Sequence, residues 1–506
     1  MRVPVQMPPF GRANIPYSAL IVILICVVAF LLRLLTIVLL PNINRPDEIF
    51  QTLEQAHRIV YGTGILPWEF VYGARSYILP GALASVMWVA KLFGGGPDAY
   101  LPMIYAVLAA LSTGCVLVTY LWANRYLGLA GGITAAVVIA FSVDAIYFGP
   151  RTAPEVISTH LILIATYLCE PGYHVTSQPR LTVGGILFGL AFLLRFHYAA
   201  AIALIVVWTC YHAPKTRMRS VLGAATVTVL LGGLLDWVTW SYPFESIWRN
   251  FVINMQDGAA ASFGVDGWYK YILYMAWYWS SGAAVLFGLA LIGATRLPVL
   301  FGAAALVLLQ HSLIAHKEFG FIYLSILFGI VLAAIGMARI VAWLAEHAPV
   351  ARAPNRRAQI CVSAAAAFWI SFSLGEATSW GYTLHWFRAK DELHAAIAVA
   401  RTPMVCGVGL RGVEWYYSGG YTYMNQPGRL YLPKNNDQLT EDAPGFNVLL
   451  YRGKLPKGLA FKKRQCYGEV CLAQRPGGCA PIPTPITPQI PPMLRNVTPE
   501  RETGPQ

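Results

Sequence analysis

The sequence predicts an all-α polytopic membrane protein with about 11–13 transmembrane helices, followed by a small α/β or β-rich extramembrane domain. Of its 506 residues, 57% are hydrophobic and only 12% are charged. A soluble domain usually carries about 25% charged residues. The apolar residues lie in many long runs, and a bilayer-spanning helix needs roughly 20 of them. A single globular core cannot bury so many apolar residues.

Candidate spanning segments follow one another along the first 377 residues. The first, Tyr17 to Leu40, is too long for the apolar region of a signal peptide, and no small-residue cleavage site follows it, so we expect a retained helix. Arg2 and Arg12 precede it, which favours a cytoplasmic N-terminus because cytoplasmic loops are rich in Lys and Arg. The twelve candidates are 17–40, 77–93, 101–122, 128–148, 153–170, 181–194, 197–212, 221–241, 269–292, 297–315, 320–343 and 359–377.

Basic clusters orient the other segments. The clusters expected on the cytoplasmic side are Lys215 to Arg219, Arg296, and Arg352 to Arg357. Counting from them places 242–268, 316–319 and everything after 377 outside.

The orientation of the two termini conflicts with the number of segments. An inside N-terminus and an outside C-terminus need an odd number of spans, whereas the candidates number twelve. Either 77–93 does not cross fully, which puts Arg151 and Arg195 outside, or 181–212 is one long span, which puts Arg151 inside. We favour the first alternative because Asn124-Arg125 then lies inside.

The net charge and the cysteines further limit the class of protein and the compartment that its C-terminal region faces. The net charge is +13, but the basic residues lie in short clusters between apolar runs, which argues against nucleic-acid binding and for membrane orientation. Four of the nine cysteines lie in the polar C-terminal region: Cys406, Cys466, Cys471 and Cys479. That even number suits disulfides if the region faces an oxidising compartment.

The chain divides into three parts. Residues 1–377 form the predicted transmembrane catalytic domain, with its first outside loop at 41–76. Residues 378–480 carry short apolar stretches separated by Gly, Pro and Asn, which predicts the extramembrane domain. Residues 481–506 are Pro-rich and predicted to be disordered.

The first outside loop carries the strongest candidate for chemistry. On a helix begun by Pro46, four polar residues fall on one face: Asp47, Gln51, Glu54 and Arg58. Sugar transfer with inversion needs a carboxylate that accepts the proton of the attacking hydroxyl. We assign Asp47 as that base and Glu48 as its helper or positioning group. The alternative is that both are N-terminal helix acids on a wet loop.

Two further clusters supply candidates for substrate binding. Trp68 and Glu69 offer a stacking face and a hydroxyl acceptor for a sugar, and Arg75 offers a phosphate contact; interfacial anchoring is the alternative. His316, Lys317 and Glu318 interrupt an apolar stretch at an outside turn, where ionisable groups are costly. The alternative there is a polar hairpin.

The assignments are as follows. The candidate phosphate-binding residues are His316, Lys317, Arg75 and Arg151, with Arg195 a weaker candidate of the same kind. The candidate substrate-binding residues are Gln51, Glu54, Trp68, Glu69 and Glu318. No metal ligand set, Walker-type phosphate loop or HExxH motif occurs, so we predict no metal or other cofactor.

These motifs together resemble glycosyltransferase family 22, the mannosyltransferases of GPI-anchor and lipid-linked oligosaccharide assembly. The resemblance covers about residues 20–345. The segments that carry it, in order, are Arg45-Pro-Asp-Glu, Pro67-Trp-Glu-Phe, Pro150-Arg-Thr, Leu194-Arg195, Asp236 with Tyr242-Pro-Phe, Gly267-Trp-Tyr and His316-Lys-Glu.

The resemblance implies a GT-C fold, an isoprenoid-phosphate mannose donor, inversion at the anomeric carbon, and an acceptor on the outer or lumenal side. It also implies Asp47 as the base, with His316 and Lys317 near the donor phosphate. The chain departs from the family pattern at two positions. Arg45 stands where many members have His, and Gly320 stands where many have Arg, which removes a phosphate contact.

We therefore expect an inverting glycosyltransferase whose partners are an isoprenoid-phosphate sugar, a glycan or glycolipid acceptor and membrane lipids. The alternatives are a lipid or glycolipid transporter or flippase, and a non-catalytic substrate-presenting subunit. The Ala- and Arg-rich composition favours a bacterial inner membrane with a periplasmic active site; the alternative is the endoplasmic reticulum membrane with a lumenal site.

Overall fold

The computed structural model describes residues 17–171, 177–211, 214–351, 353–455 and 458–480. Arg2, Arg12, Arg352 and the Pro-rich tail from Pro481 lie outside the described residues. The chain is mainly helical, as the apolar runs predict, and a small sheet follows the last long helix.

The helices have the following bounds. Helices α1 to α7 are Tyr17–Leu39, Glu54–Tyr61, Trp68–Val71, Ile78–Lys91, Pro97–Phe141, Val143–Phe148 and Pro154–Leu168. Helices α8 to α14 are Gln178–Leu194, Ala199–Cys210, Pro214–Thr239, Glu245–Phe251, Ala259–Ser262, Lys270–Trp279 and Gly282–Ala294. Helices α15 to α21 are Pro298–Ser312, Tyr323–His347, Pro354–Ala377, Trp380–Trp386, Lys390–Ala400, Gly420–Met424 and Asn436–Asp442.

Five of the described helices are long and apolar enough to cross a membrane: α1, α5, α10, α16 together with the short turn before it, and α17. The pair α13 and α14 passes the same test as one span, bent by 106°. The other apolar helices are shorter. Two predicted segments, 101–122 and 128–148, fall largely within α5, whose backbone breaks at Gly128 with a φ of 71°.

The chain turns back on itself at Gly128. The Arg33 guanidinium donates to the Ser112 hydroxyl at 2.9 Å and to the Ala140 carbonyl at 3.3 Å, so the two halves of α5 lie side by side at that depth. Glycine tolerates the positive φ of the break at no steric cost. The predicted pair of spans is therefore present although the helix is continuous by hydrogen bonding.

Both ends of helix α4 lie on the same side of the helical bundle. At its start the Ser76 hydroxyl donates to Asp236 at 2.9 Å, near the outer end of α10. After its end, the Gly95 carbonyl accepts from the Tyr61 hydroxyl of the first outer loop, and Asp98 pairs with Arg401 of the C-terminal domain at 2.8 Å. Both ends thus lie on the face that carries the C-terminal domain, which we call the outer face.

This placement of α4 agrees with the favoured resolution of the span count. With 77–93 excluded, eleven predicted segments remain, which is the odd number that the orientation of the termini requires; among the described helices, five, or six with the bent pair, are long and apolar enough to cross alone. Arg125 pairs with Glu170 at 3.1 Å, and Arg217 donates to the Cys169 carbonyl at 2.8 Å, so these groups share the inner end of the bundle. Arg151 lies at the outer end.

The C-terminal domain contains a five-stranded sheet. Strands β1 to β5 are Gly407–Arg411, Arg429–Tyr431, Val448–Arg452, Lys462–Tyr467 and Val470–Gln474. Their order is β2-β1-β3-β5-β4. Strands β2, β1 and β3 are parallel, and β5 pairs antiparallel with both β3 and β4. Helices α19 to α21 accompany it, so the predicted α/β domain is confirmed.

Two disulfides tie this domain together, as the even cysteine number predicts. Cys406 bonds to Cys479, and Cys466 bonds to Cys471. The five free cysteines of the described chain lie elsewhere and are buried or half-buried. Disulfides persist in oxidising compartments, which fits a domain on the outer face.

The domain is fastened to the first outer loop by the buried carboxylate of Glu54. That carboxylate accepts hydrogen bonds from the Tyr421 N–H at 3.0 Å, the Thr422 N–H at 2.9 Å and the Thr422 hydroxyl at 2.7 Å. On its own loop it accepts from the Ile65 N–H at 2.9 Å. We call this set of four bonds the Glu54 clamp.

Candidate active site

A cavity of about 430 Å³ opens at the outer end of the bundle, beneath the C-terminal domain. Five stretches of chain meet there: the first outer loop, the turn after α8, the loop before α13, the turn before α16 and the 415–417 turn. Its lining includes Asp47, Phe50, Gln51, Trp68, Glu69, Arg75, Arg195, His197, Asn250, Met255, Phe263, His311, His316, Glu318, Phe321, Trp415 and Tyr416.

Asp47 lies on the cavity wall with its side chain accessible. Pro46 begins its turn, and the Pro46 carbonyl accepts from the Ile49 and Phe50 N–H groups at 2.9 Å each. No other described residue forms a hydrogen bond or an ion pair with the Asp47 carboxylate. The surrounding protein and the nearby Glu318 raise the pKa of Asp47, while Arg75 and Arg45 oppose that rise.

Glu48 points away from the cavity of Asp47, into the protein. Its carboxylate accepts from Arg151 at 3.0 and 3.1 Å and from the Asn44 N–H at 2.6 Å. The Arg151 guanidinium also stacks 3.9 Å from the centre of the Tyr147 ring. Both charged groups are buried. Glu48 and Arg151 thus form one buried ion pair that supports the Asp47 turn. This agrees with the positioning alternative for Glu48, whereas the assignment of Arg151 as a phosphate ligand is revised.

A π-helical turn at Ile49–Leu53 changes the predicted helix face. A π turn adds one residue, which rotates the following residues by about 100° relative to a continuous α-helix. Gln51 remains in the cavity, where its amide donates to Glu69 at 2.6 Å. Glu54 instead enters the interior and forms the Glu54 clamp. Its assignment as a substrate ligand is therefore revised to a structural one.

Trp68 and Glu69 line the cavity opposite the π turn, as the sequence predicts. Burial, followed by the repulsion of the nearby Asp47, raises the pKa of Glu69 to about 8. At neutral pH, Glu69 is therefore protonated and able to donate a hydrogen bond. Two neighbouring carboxyl groups with different surroundings commonly divide the roles of acid and base.

Five buried side-chain nitrogen atoms in this cavity have no hydrogen-bond partner among the described residues. They are Arg75 Nε, Arg195 Nε, His197 Nδ1, His311 Nε2 and His316 Nδ1. Most buried polar atoms in proteins are hydrogen-bonded, so such a cluster in one cavity indicates a ligand site. The guanidinium groups remain cationic at neutral pH, so this side of the cavity is able to bind an anion.

His316 and Glu318 lie in the cavity, whereas Lys317 does not. His316 Nε2 is 3.3 Å from Glu318, and this hydrogen bond raises the pKa of His316. Lys317 is buried and donates to the Asp266 carbonyl at 3.0 Å and to the Ile314 carbonyl. Lys317 therefore joins two outer loops, and its assignment as a phosphate ligand is revised.

The two residues that depart from the family pattern, Arg45 and Gly320, lie next to each other in the structure. The Arg45 guanidinium forms ion pairs with Glu155 and Glu318 and stacks 4.9 Å from the centre of the Phe321 ring. A Cβ atom on Gly320 would overlap this guanidinium. Arg45 thus supplies a cation in the space that a side chain at 320 would occupy.

Sequence reasoning did not assign His197, His311, Trp415 or Tyr416 to the site. Each lies far along the chain from the first outer loop, and only the tertiary fold brings it there. The one local signal was the pair Arg195 and His197 at the outer end of a span. In the part of the chain that the structure describes, no group of three or more His, Cys, Asp or Glu is placed to hold a metal ion.

Comparison with known proteins gives one family match. The model of the Alg9-like mannosyltransferase family matches residues 22–423. GPI mannosyltransferase 3 of Trypanosoma brucei brucei (strain 927/4 GUTat10.1) is 27% identical over 361 residues, covering 61% of this chain and 64% of that protein. Human GPI alpha-1,2-mannosyltransferase 3 is 25% identical over 335 residues, covering 62% and 57%. The chain thus spans less than two thirds of these relatives.

A solved structure shares the fold. ArnT from Cupriavidus metallidurans, bound to undecaprenyl phosphate, aligns with a TM-score of 0.56 at 12% identity, over 93% of this chain and 100% of that chain. The likeness shows the GT-C fold that the family resemblance implies. The two relatives named above are eukaryotic, so they give no support to the bacterial inner membrane favoured by composition.

Proposed function

The chain belongs to the Alg9-like mannosyltransferase family, and from that premise we propose that it is an inverting glycosyltransferase. It transfers mannose from an isoprenoid phosphate to a glycolipid at the outer face. The observation that carries the proposal is one cavity holding the unpaired carboxylate of Asp47 beside five unpartnered nitrogen atoms.

The cationic side of the cavity suits the donor phosphate. Arg75 and Arg195 offer charged N–H donors with no other described hydrogen-bond partner at Nε. Charge-assisted hydrogen bonds to phosphate are about twice as strong as neutral ones. Donors fixed in advance stabilise negative charge that develops on a leaving group. His316, whose pKa is raised by its hydrogen bond to Glu318, lies in the same cavity.

An apolar groove supports a lipid-linked donor. Gln51, Arg75 and Asn250 line both the main cavity and a narrow second one. The narrow cavity shares Ile78, Leu79 and Leu194 with an apolar cavity of about 200 Å³ between α4, α5, α7 and α8. The three cavities therefore adjoin one another from Arg75 to the apolar space between these helices, and we propose that the lipid chain of the donor lies along them. Hydrocarbon chains gain free energy by leaving water for such a path.

The proposed transfer reaction depends on the carboxylate of Asp47. The Asp47 carboxylate takes the proton of the acceptor hydroxyl as that oxygen bonds to the anomeric carbon. The bond from the anomeric carbon to the phosphate oxygen breaks, and the electron pair leaves with the lipid phosphate. Attack opposite the leaving group inverts the configuration. The raised pKa of Asp47 makes it a stronger base than an ordinary aspartate.

The names of the relatives suggest the acceptor class. Those proteins are GPI mannosyltransferases, and we propose a mannose-bearing glycolipid of that type as the acceptor. The disulfides of the C-terminal domain support an oxidising compartment on the site's side of the membrane. Periplasm and endoplasmic reticulum lumen both meet that condition.

The experiment is a transfer assay with the purified full chain. Polyprenyl-phosphate-mannose and a nucleotide-linked mannose are offered in turn with a dimannosyl glycolipid. We expect a trimannosyl product and free polyprenyl phosphate from the lipid donor alone. Transfer from the nucleotide sugar, or none from either donor, would contradict the proposal.

A variant pair tests the anion site. Arg195→Gln should raise the KM for the lipid donor by about tenfold or more, because it removes a buried charged donor. Arg249→Gln is the matched control, since Arg249 lies outside the lining of the cavity. Equal donor KM values for the two variants would exclude Arg195 from donor binding.

A further inference from the structure

The C-terminal domain contributes an aromatic wall to the cavity. Residues 415–417 form a short 3₁₀ turn between β1 and α20, and Trp415 and Tyr416 line the cavity. Both side chains are partly exposed there. The Trp415 ring meets Phe50 of the first outer loop edge-on, with ring centres 4.9 Å apart. The wall thus bridges the two parts of the chain that form the site.

The position of this wall relative to Asp47 is fixed. Phe50 lies three residues after Asp47, on the π turn that also carries Gln51. The Glu54 clamp holds residues 421 and 422, just after the aromatic turn. The Tyr423 hydroxyl adds a 2.7 Å hydrogen bond to Tyr105 of the membrane bundle. Rigid support of this kind is what a binding surface near a reacting group requires.

The chemistry of the wall suits a sugar ring. A pyranose presents C–H groups on its faces and hydroxyls at its rim, and the C–H face packs on an aromatic ring while the hydroxyls seek polar partners. The Trp415 indole N–H has no hydrogen-bond partner among the described residues. Gln51 and the protonated Glu69 lie in the same cavity as hydrogen-bonding groups.

We propose that Trp415 and Tyr416 form the platform that binds the terminal sugar ring of the acceptor glycan. The proposal rests on the proposed function, because the donor phosphate there occupies the nitrogen cluster and leaves the aromatic wall to the second substrate. On this platform, an acceptor hydroxyl at the ring's edge faces Asp47. The C-terminal domain is thereby part of the acceptor site.

The test uses binding and kinetics together. Trp415→Ala in the full chain should weaken equilibrium binding of an octyl dimannoside by about tenfold, since an aromatic stacking contact is lost. It should raise the acceptor KM by a similar factor and leave the donor KM unchanged. Trp415→Phe should restore part of the binding. Tyr417→Ala is the matched control, because Tyr417 belongs to the same turn but does not line the cavity.

Each outcome of these measurements distinguishes the acceptor platform from an alternative. A higher donor KM with an unchanged acceptor KM would mean that the wall holds the donor sugar, and would overturn the proposal. Unchanged dimannoside binding by Trp415→Ala would overturn it as well. Failure of the wild type to transfer mannose, with dimannoside binding that still depends on Trp415, would contradict the proposed function while supporting a glycan platform.

Discussion

At the residue scale, two adjacent acids in the first outer loop have opposite surroundings. Asp47 faces the cavity without a partner, whereas Glu48 is neutralised by the buried Arg151. The sequence placed both acids at the start of a helix but could not show that their surroundings differ. That difference depends on Arg151, which lies more than a hundred positions away. The Glu48 carboxylate is buried and held by the Arg151 ion pair, so it does not face the cavity.

Glu69 should control the alkaline side of the pH profile. Its pKa of about 8 means that it is neutral at pH 7 and becomes charged as the pH rises through that value. A second negative charge beside Asp47 and the donor phosphate weakens donor binding. We therefore expect the donor KM of the wild type to rise above pH 8.

Glu69→Gln keeps a neutral group at this position and should abolish that rise. The measurement is donor KM against pH for both proteins. If the variant shows the same alkaline increase, another group is responsible.

Gly320 should be required for the position of Arg45. The methyl group of Gly320→Ala would overlap the guanidinium and force it away from Glu155 and Glu318. We expect a loss of about tenfold in kcat/KM for the donor, since a charge-assisted pairing near the phosphate is disturbed. Gly329→Ala is the control, because an added Cβ there has open space. Equal activity of both variants would contradict the role given to Arg45.

The residue types at the site were predictable to different degrees. Asp47, Gln51, Trp68, Glu69, Arg75, His316 and Glu318 were all proposed, and all line the cavity. Lys317 was proposed for its charge beside His316, yet the backbone at 314–318 turns it toward carbonyl oxygens instead. His197 and His311 belong to separate helix ends, so no local spacing could reveal their proximity.

At the element scale, the π turn at Ile49–Leu53 separates the predicted face into two functions. Asp47 before it and Phe50 and Gln51 within it line the cavity, whereas Glu54 after it holds the C-terminal domain. A spacing rule for α-helices cannot predict an inserted residue, and no sequence feature of the loop indicates a π turn.

The Glu54 clamp should stabilise the docking of the C-terminal domain. Glu54→Ala leaves three buried N–H and O–H groups on Tyr421 and Thr422 without an acceptor. The cost should be about 3 kcal/mol, because hydrogen bonds to buried charged groups are worth roughly 1.5–3 kcal/mol each and relaxation recovers part of the loss.

Thermal unfolding in detergent and limited proteolysis measure this effect. The control is Glu414→Ala, an exposed acid in the same domain that should leave the unfolding temperature unchanged. A Glu54→Ala protein as stable and as protease-resistant as the wild type would show that the clamp carries no docking energy.

At the scale of the whole molecule, composition predicted a mainly helical membrane protein, and the basic clusters predicted the orientation of its segments. The parity conflict left two alternatives, and the structure places both ends of α4 on one face, in agreement with the favoured one. Its apolar composition alone could not show this, because hydrophobicity measures burial and says nothing of which face each end reaches. The contacts of Tyr61 and Arg401 with residues after α4 supply the missing information.

Cysteine labelling tests this topology directly. Lys91 is exposed at the end of α4, and Thr216 is exposed at the opposite end of the bundle. With a membrane-impermeant maleimide applied from the outer side, Lys91→Cys should react and Thr216→Cys should not. The native free cysteines are buried or half-buried, so the parent chain is the background control. Protection of Lys91→Cys would mean that α4 crosses the membrane.

The central claim is that Asp47 is the base of a lipid-linked mannosyl transfer. The measurement that tests it most directly compares wild type, Asp47→Asn and Asp257→Asn for polyprenyl-phosphate-mannose binding and for transfer to a dimannosyl glycolipid. Asp257 is an exposed outer-loop acid outside the cavity and serves as the control. We expect all three to bind the donor, with transfer by Asp47→Asn reduced about a hundredfold or more. Transfer by Asp47→Asn at the wild-type rate would contradict the account.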